Sequence, residues 1–477
     1  MTYLSITFYL LVLAALLFYY ILPLKYRWLV LLSGSILFYW QAMGSPAGMA
    51  VILVTILAAY GAGLLLERMK SKGILAGAVL LLILPWFCVK NGNYVMEVLL
   101  HRDPVEWIVP LGVSFYTLQV ISYLADVYRG RIAAQKNPAK FVLFVMFFPQ
   151  IVQGPIPRYE RLAGQLYAGH RFDERMVVGG FYRILWGFFL KLMIADRAAG
   201  FVNWVYDLDY EYVGCYVLMA GILYSIELYA DFSACISISK GVANLFGVEL
   251  EDNFHHPYLA VSVRDFWHRW HISLSEWLKD YIYIPLGGSR KGKIRTYINL
   301  ILTFLVSGIW HGAGLRFMVW GMMHAAYQIV GQLTQKLQRK AAKLSGLDKA
   351  PGTALWIRRG WTFLCVMMAW IIFRAESLRK GLLMIWSMFR VRNVWIFTND
   401  ALLGGLDWKE WALLAVSVLI LFVVSLKQEQ GVSFSDLIFR QPIYVRWAIY
   451  LIAIFGIMTY GVYGMGYDAQ AFIYGGF

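Results

Sequence analysis

Apolar stretches recur from one end of the chain to the other, each closed by a short polar or basic segment. The clearest are Leu4–Leu22, Met49–Leu66, Ile74–Val89, Met176–Leu192, Tyr212–Tyr229, Phe363–Phe373, Trp411–Leu426 and Ile443–Tyr460. An α-helix rises about 1.5 Å per residue, so roughly 20 apolar residues cross a bilayer core. On that length criterion the pattern predicts an all-α polytopic membrane protein with about 11–13 membrane segments, the shorter ones buried or re-entrant. Leu4–Leu22 has no basic segment before it and no small-residue cleavage site after it, and reads as a retained first helix.

Polar residues within apolar surroundings concentrate between about residues 110 and 330, and ionisable groups at membrane depth are expensive and functional by default. The chain therefore reads as a single domain. Residues 1–105 form peripheral helices, 106–335 a catalytic core, and 336–477 a basic cytoplasmic loop followed by C-terminal helices. Composition agrees, with 60% hydrophobic and 15% charged residues and a mean hydropathy of +0.59. The net charge of +15 gathers in short loops, notably Arg290–Arg295 and Lys336–Arg359, as expected of cytoplasmic loops. No interleaved aromatic and basic pattern accompanies it, so nucleic acid is not an expected partner. The four cysteines, Cys88, Cys215, Cys235 and Cys365, lack paired spacing, and neither a disulfide frame nor a metal site is expected.

Four features of the central region carry candidate chemistry. Phe147–Arg158 sets three prolines and a glycine after an apolar run, which no continuous helix survives. It reads either as a helix exit loop or as a wall of a polar cavity, with Gln150 and Gln153 as donors. Between the basic loops lies an apolar hairpin, Thr296–Val330, broken once at Trp310-His311-Gly312-Ala313-Gly314. That places His311 roughly 24 Å along the helix from Arg295, deep in, or just past, a hydrocarbon core of about 30 Å. Histidine is the side chain best suited to general-base work near neutral pH, although a structural cap on the turn is the plainer reading. His324, in the returning helix, reads as a packing or hydrogen-bonded residue. Third, Arg264–Asp280 has the period of one amphipathic helix. Trp267, Trp270, His271, Leu274 and Leu278 share its buried face, and His268 lies on the solvated one. Fourth, Glu227 and Asp231 share a helical face and would repel unless one is protonated or a cation intervenes.

Taken together, Leu111–Tyr116, Phe148–Tyr159, Asp231-Phe232-Ser233 and, above all, Asp265–Gly288 followed by Ser307–Gly312 resemble the membrane-bound O-acyltransferase family, in its bacterial branch that modifies extracellular polysaccharides. The resemblance implies a bundle of membrane helices around a funnel and tunnel, with the family histidine at His311 and its second polar position at His271. Gln150, Gln153, Glu227, Asp231 and Trp310 become supporting or substrate-lining candidates. It also implies a thioester donor on the cytoplasmic side, such as acetyl-CoA or an acyl carrier, and no other cofactor. An extracytoplasmic esterase-like or transferase partner, a polysaccharide acceptor and a location in the cell membrane complete the implied setting. Glu227 stands where Gln is commoner in that branch, and Cys235 and Ser237 replace the usual Tyr and Asp. Two other readings stay open. One is D-alanyl transfer to teichoic acid from a carrier protein. The other is a transporter, for which no inverted repeat is visible.

Overall fold

The computed structural model describes residues 1–207, 212–399, 402–403, 405–463 and 472. Among these the chain is helical apart from loops and one isolated antiparallel bridge. It divides into two compact units. The first comprises Met1–Phe188 with Ala234–Asp252, and the second Phe189–Ser233 with Asn253–Gly464.

In the first unit, helices α1 (Ile6–Ile21), α3 (Pro46–Met69) and α4 (Lys72–Tyr94) each begin at a serine. The hydroxyls of Ser5, Ser45 and Ser71 accept from the backbone N–H three residues on, satisfying one of the donors that every helix start leaves over. Between α1 and α3 runs α2 (Arg27–Met43). Helix α5 (Val113–Tyr128) is buried on every side from Val113 to Val127 and forms the centre of this unit. It is followed by α6 (Pro138–Met146), α7 (Tyr159–Ala168) and α8 (Glu174–Phe188). The proline-rich run between α6 and α7 is non-helical, as expected, and it is largely buried. Phe147–Ile151 and Gln153–Pro157 are enclosed apart from Val152. The Phe148 carbonyl accepts from Tyr3 at 2.9 Å, its N–H donates to Ser35 at 3.1 Å, and Ser239 donates to the Pro149 carbonyl. Irregular backbone survives in such a place only when protein satisfies it.

The second unit opens with a wider π-type turn, Phe189–Ala195, leading into α9 (Asp196–Tyr206). Then come the first part of α10 (Cys215–Leu245), whose residues from Ala234 on belong to the first unit, and α11 (Val263–Arg269), α12 (Ile272–Leu278), α13 (Lys293–His311), α14 (Leu315–Leu333) and the basic α15 (Gln335–Leu344). Helices α16 (Pro351–Arg374), α17 (Leu378–Arg390), α18 (Trp408–Glu429), α19 (Phe434–Phe439) and α20 (Ile443–Tyr460) complete it. The expected hairpin is present as α13 and α14. It is tight because a Cβ on Gly308 would strike the Phe317 carbonyl oxygen, and one on Gly321 that of Phe304. Gly314, at the turn, has φ +96°, a value open to glycine at no steric cost.

Among the described residues, seven helices are long and apolar enough to cross a membrane: Pro46–Met69, Lys72–Leu99, Glu174–Tyr206, Cys215–Leu245, Pro351–Arg374, Trp408–Glu429 and Ile443–Tyr460. The expected segments, about 11–13 by length, included shorter pieces, buried or re-entrant, and helices such as α1, α13 and α14 are of that shorter or less apolar kind. The chain is an all-α multi-pass membrane protein. One expectation needs correction: Arg264–Asp280 is not one helix. Trp270 is extended, His271 turns left-handed with φ +46°, and the chain restarts as α12.

Candidate functional site

His311 is the last residue of α13 and only 2% exposed. Its ring is enclosed by Trp320, Trp310 and Phe373, at centroid distances of 4.7, 4.9 and 5.7 Å. Nδ1 lies 2.7 Å from the carbonyl oxygen of Ser307, one turn earlier. A carbonyl oxygen only accepts, so Nδ1 carries the proton and Nε2 is the basic nitrogen of the neutral ring. The tautomer follows from the partner, and the partner is built into the helix.

His271 reaches the same region by another route. The segment before α11 pairs with the break after it. Phe254 bridges Trp270, the His255 N–H donates to the Arg269 carbonyl at 2.9 Å, and the Ile272 N–H donates to the Asn253 carbonyl at 3.0 Å. This pairing ends α11 and turns His271 inward, where it is completely buried. Left-handed backbone at a non-glycine residue costs on the order of 1–3 kcal/mol, and such strain clusters at functional sites. His271 Nδ1 lies 3.3 Å from Asn253 Oδ1, so here too Nδ1 is the donor and Nε2 the basic nitrogen. Burial, with His311 adding to it, pushes the His271 imidazole well below the ordinary histidine range and keeps it neutral. Phe232 packs edge-on at 4.9 Å, and Trp310 stands 6.0 Å from His271 and 4.9 Å from His311. Trp310 therefore touches both imidazoles. His268, by contrast, is exposed.

A buried ionic group adjoins this wall of the unit. Lys191 Nζ lies 2.7 Å from Asp231 and 2.8 Å from Asp196. The expected repulsion between Glu227 and Asp231 is thus relieved by a cation, one that pairs Asp231 with Asp196 and not with Glu227. Glu227, one turn back on α10, is 5% exposed, and its Oε2 finds no hydrogen-bond partner among the described residues. Arg374 pairs with Asp207 at 2.6 Å and lies over the Tyr206 ring. His324 is a packing residue, buried among Trp267, Trp320 and Phe304, with neither ring nitrogen hydrogen-bonded among the described residues. Gln150 and Gln153 belong to the first unit. They are buried, and Gln150 Oε1 and both polar atoms of the Gln153 amide find no partner among the described residues. The second unit also holds an apolar cavity of about 320 Å³ between α16 and α18. Its lining residues Tyr229 and Tyr258 pack on Trp270, and neither His271 nor His311 lines it.

Lys191, Asn253 and the Ser307 carbonyl are among the groups not anticipated from the sequence. A lone lysine within Trp186–Ile194 is a legible signal, because a cation in so apolar a run needs buried partners. Asn253 sits 18 residues before His271, and the Ser307 carbonyl belongs to the backbone, so neither leaves a local pattern.

Comparison with known proteins places the chain in a family. The sequence model of the membrane-bound O-acyltransferase family matches residues 132–374, a span that includes Lys191, Asp231, Asn253, His271 and His311. The chain is 35% identical over 384 residues to a probable alginate O-acetylase of Azotobacter vinelandii, covering 78% of this chain and 74% of that protein. It is 33% identical over 334 residues to a peptidoglycan O-acetyltransferase of Helicobacter pylori, covering 65% and 62%. Against a teichoic acid D-alanyltransferase of Bacillus subtilis it is 27% identical over 285 residues, covering 57% and 72%. The chain belongs to the membrane-bound O-acyltransferase family and is an acyltransferase of the membrane.

Proposed function

We propose that this acyltransferase moves an acetyl group from a cytoplasmic thioester, acetyl-CoA or an acyl carrier, to hydroxyls of an extracellular polysaccharide. The observation that carries the reading is the hydrogen bond from His311 Nδ1 to the Ser307 carbonyl, which leaves Nε2 as the base. In the reaction the acceptor hydroxyl gives its proton to His311 Nε2 as its oxygen attacks the thioester carbonyl carbon. The tetrahedral intermediate collapses, the C–S bond breaks, and the departing thiolate takes the proton from the imidazolium. General-base help of this kind is worth about 10²–10⁴-fold. His271, neutral with Nε2 accepting, orients an O–H or N–H of the acceptor or donor, and Trp310 between the rings shapes the space.

An acetylated polysaccharide is favoured over D-alanylated teichoic acid by the relatives. Those named as O-acetylases and an O-acetyltransferase are 33–35% identical, against 27% and 24% for the two D-alanyltransferases. An extracytoplasmic partner protein that completes delivery, and a place in the cell membrane, belong to the same reading. His311→Ala should abolish acetyl ester formation on the cell-surface polymer while the protein reaches the membrane at normal levels. Full ester content in that variant would refute the mechanism.

A further inference from the structure

We infer that Asn253 is a positioning residue of the transfer reaction, holding His271 in the tautomer and left-handed backbone that the reaction uses. The inference rests on the reading above in which His271 orients a substrate.

Asn253 meets the His271 turn with both of its carbonyl groups. The backbone carbonyl accepts from Ile272 N–H at 3.0 Å. The side-chain Oδ1 accepts from Ser273 N–H at 3.0 Å, from Ser273 Oγ at 2.9 Å and from His271 Nδ1 at 3.3 Å. The first two bonds cap the start of α12, a role many short polar side chains fill. The third acts on the imidazole and does more than cap. Oδ1 only accepts, so it selects the Nδ1–H tautomer and aims the accepting Nε2 away from Asn253. Because Asn253 is uncharged, it does this without drawing a proton onto the ring.

A second observation bears on the choice of an amide at this position. Asn253 Nδ2 is buried with no hydrogen-bond partner among the described residues. A buried orphan donor is destabilising, and a carboxylate in the same place would keep all three accepted bonds without one. A carboxylate there would instead be a buried charge, which costs more than the orphan donor, so the amide is the acceptor that fits both the burial of the site and a histidine that must stay neutral. The surroundings agree. The rings against His271 from α10 and α13, Phe232 and Trp310, carry no charge. Asp231, next to Phe232, is occupied by Lys191, and the titratable group that bears on His271 is His311.

The test compares Asn253→Ala, Asn253→Asp and His271→Gln in the full chain, in native membranes with its partners, using labelled acetyl-CoA as donor at matched protein levels. Asn253→Ala should lower kcat by about tenfold or more. Asn253→Asp should regain most of that rate at high pH only. A carboxylate beside the imidazole raises its pKa, so His271 stays protonated, and unable to accept, to higher pH than in the parent. The acid limb of the rate profile should move upward by about one pH unit, and the displacement should vanish in Asn253→Asp/His271→Gln. A parental pH profile for Asn253→Asp overturns the inference, and so does a displacement that persists without His271. If Asn253→Ala fails to reach the membrane, the Asn253→Asp profile alone decides. A fully active His271→Gln protein removes the underlying reading of His271, an outcome distinct from failure of the Asn253 effect alone.

Discussion

His268 and His271 stand three residues apart, yet one faces outward and the other is enclosed by Phe232, Trp310 and Asn253. Their difference in burial was legible from helical period, but for an incomplete reason. The period continues smoothly through Trp270, so nothing local announces that the helix stops there. What stops it is Asn253 and the Phe254–Trp270 bridge, long-range partners that periodicity does not encode. The consequence for activity is nevertheless the one burial dictates. Removing a buried, hydrogen-bonded side chain costs about 1–3 kcal/mol, and about 1.4 kcal/mol is a factor of ten in rate. His271→Ala should reduce transfer roughly tenfold or more, and His268→Ala should stay within about threefold. Assays of both variants at equal membrane levels decide it, and a larger loss at His268 would move the active role to the wrong histidine. Lys191 gives the opposite lesson about legibility, since its isolation in an apolar run was visible and only its partners were not.

At the scale of elements, the hairpin was the most readable part of the chain. Two basic loops, two apolar runs and a Gly-x-Gly turn specified it, and the structure supplies α13 and α14 with His311 at the tip. The contact that sets its tightness was not readable, because Gly308 and Gly321 are ordinary glycines in an apolar sequence. Only their placement opposite the Phe317 and Phe304 carbonyls makes a side chain impossible there. Gly308→Val should therefore force the helices apart three residues before His311 and move the ring that Ser307 holds. We expect loss of most folded protein, or, where it accumulates, at least tenfold lower transfer, read by yield, melting temperature and ester formation. Gly331→Ala on α14 is the matched control. No atom lies within 4 Å of its added Cβ, and Ala is the better helix former by about 1 kcal/mol. Equal damage from both substitutions would show that helical glycine content, not the backbone contact, holds the hairpin.

For the whole molecule the deciding question is which face of the membrane each end of that hairpin meets. Helices α13 and α14 have 19 residues each, close to 28 Å of helix at about 1.5 Å per residue, against a hydrocarbon core of about 30 Å. Neither helix is among the seven that are also apolar enough to count as a crossing, but each has the length of one, so we expect the pair to enter and turn back, with the loops before α13 and after α14 on one face and His311 towards the other. The sign of the loops predicts the shared face. Arg290, Lys291, Lys293 and Arg295 precede the hairpin, and Lys336, Arg339, Lys340 and Lys343 follow it on an exposed α15. Dense lysine and arginine beside membrane segments belongs in the cytoplasm. Ser289 and Ser345 are both exposed in these loops. Cysteine placed at either position, in a background with Cys88, Cys215, Cys235 and Cys365 replaced by serine, should resist a membrane-impermeant thiol reagent in intact cells. It should react fully once the membrane is opened. Such protection would put the start of α13 on the side where acetyl-CoA is made and its tip, with His311, near the side where an extracellular polymer waits. Labelling of both positions in intact cells would invert the hairpin and leave the cytoplasmic donor on the wrong side of the base. Labelling of only one would mean that the pair does not turn back within the membrane, and His311 would lose its place at depth.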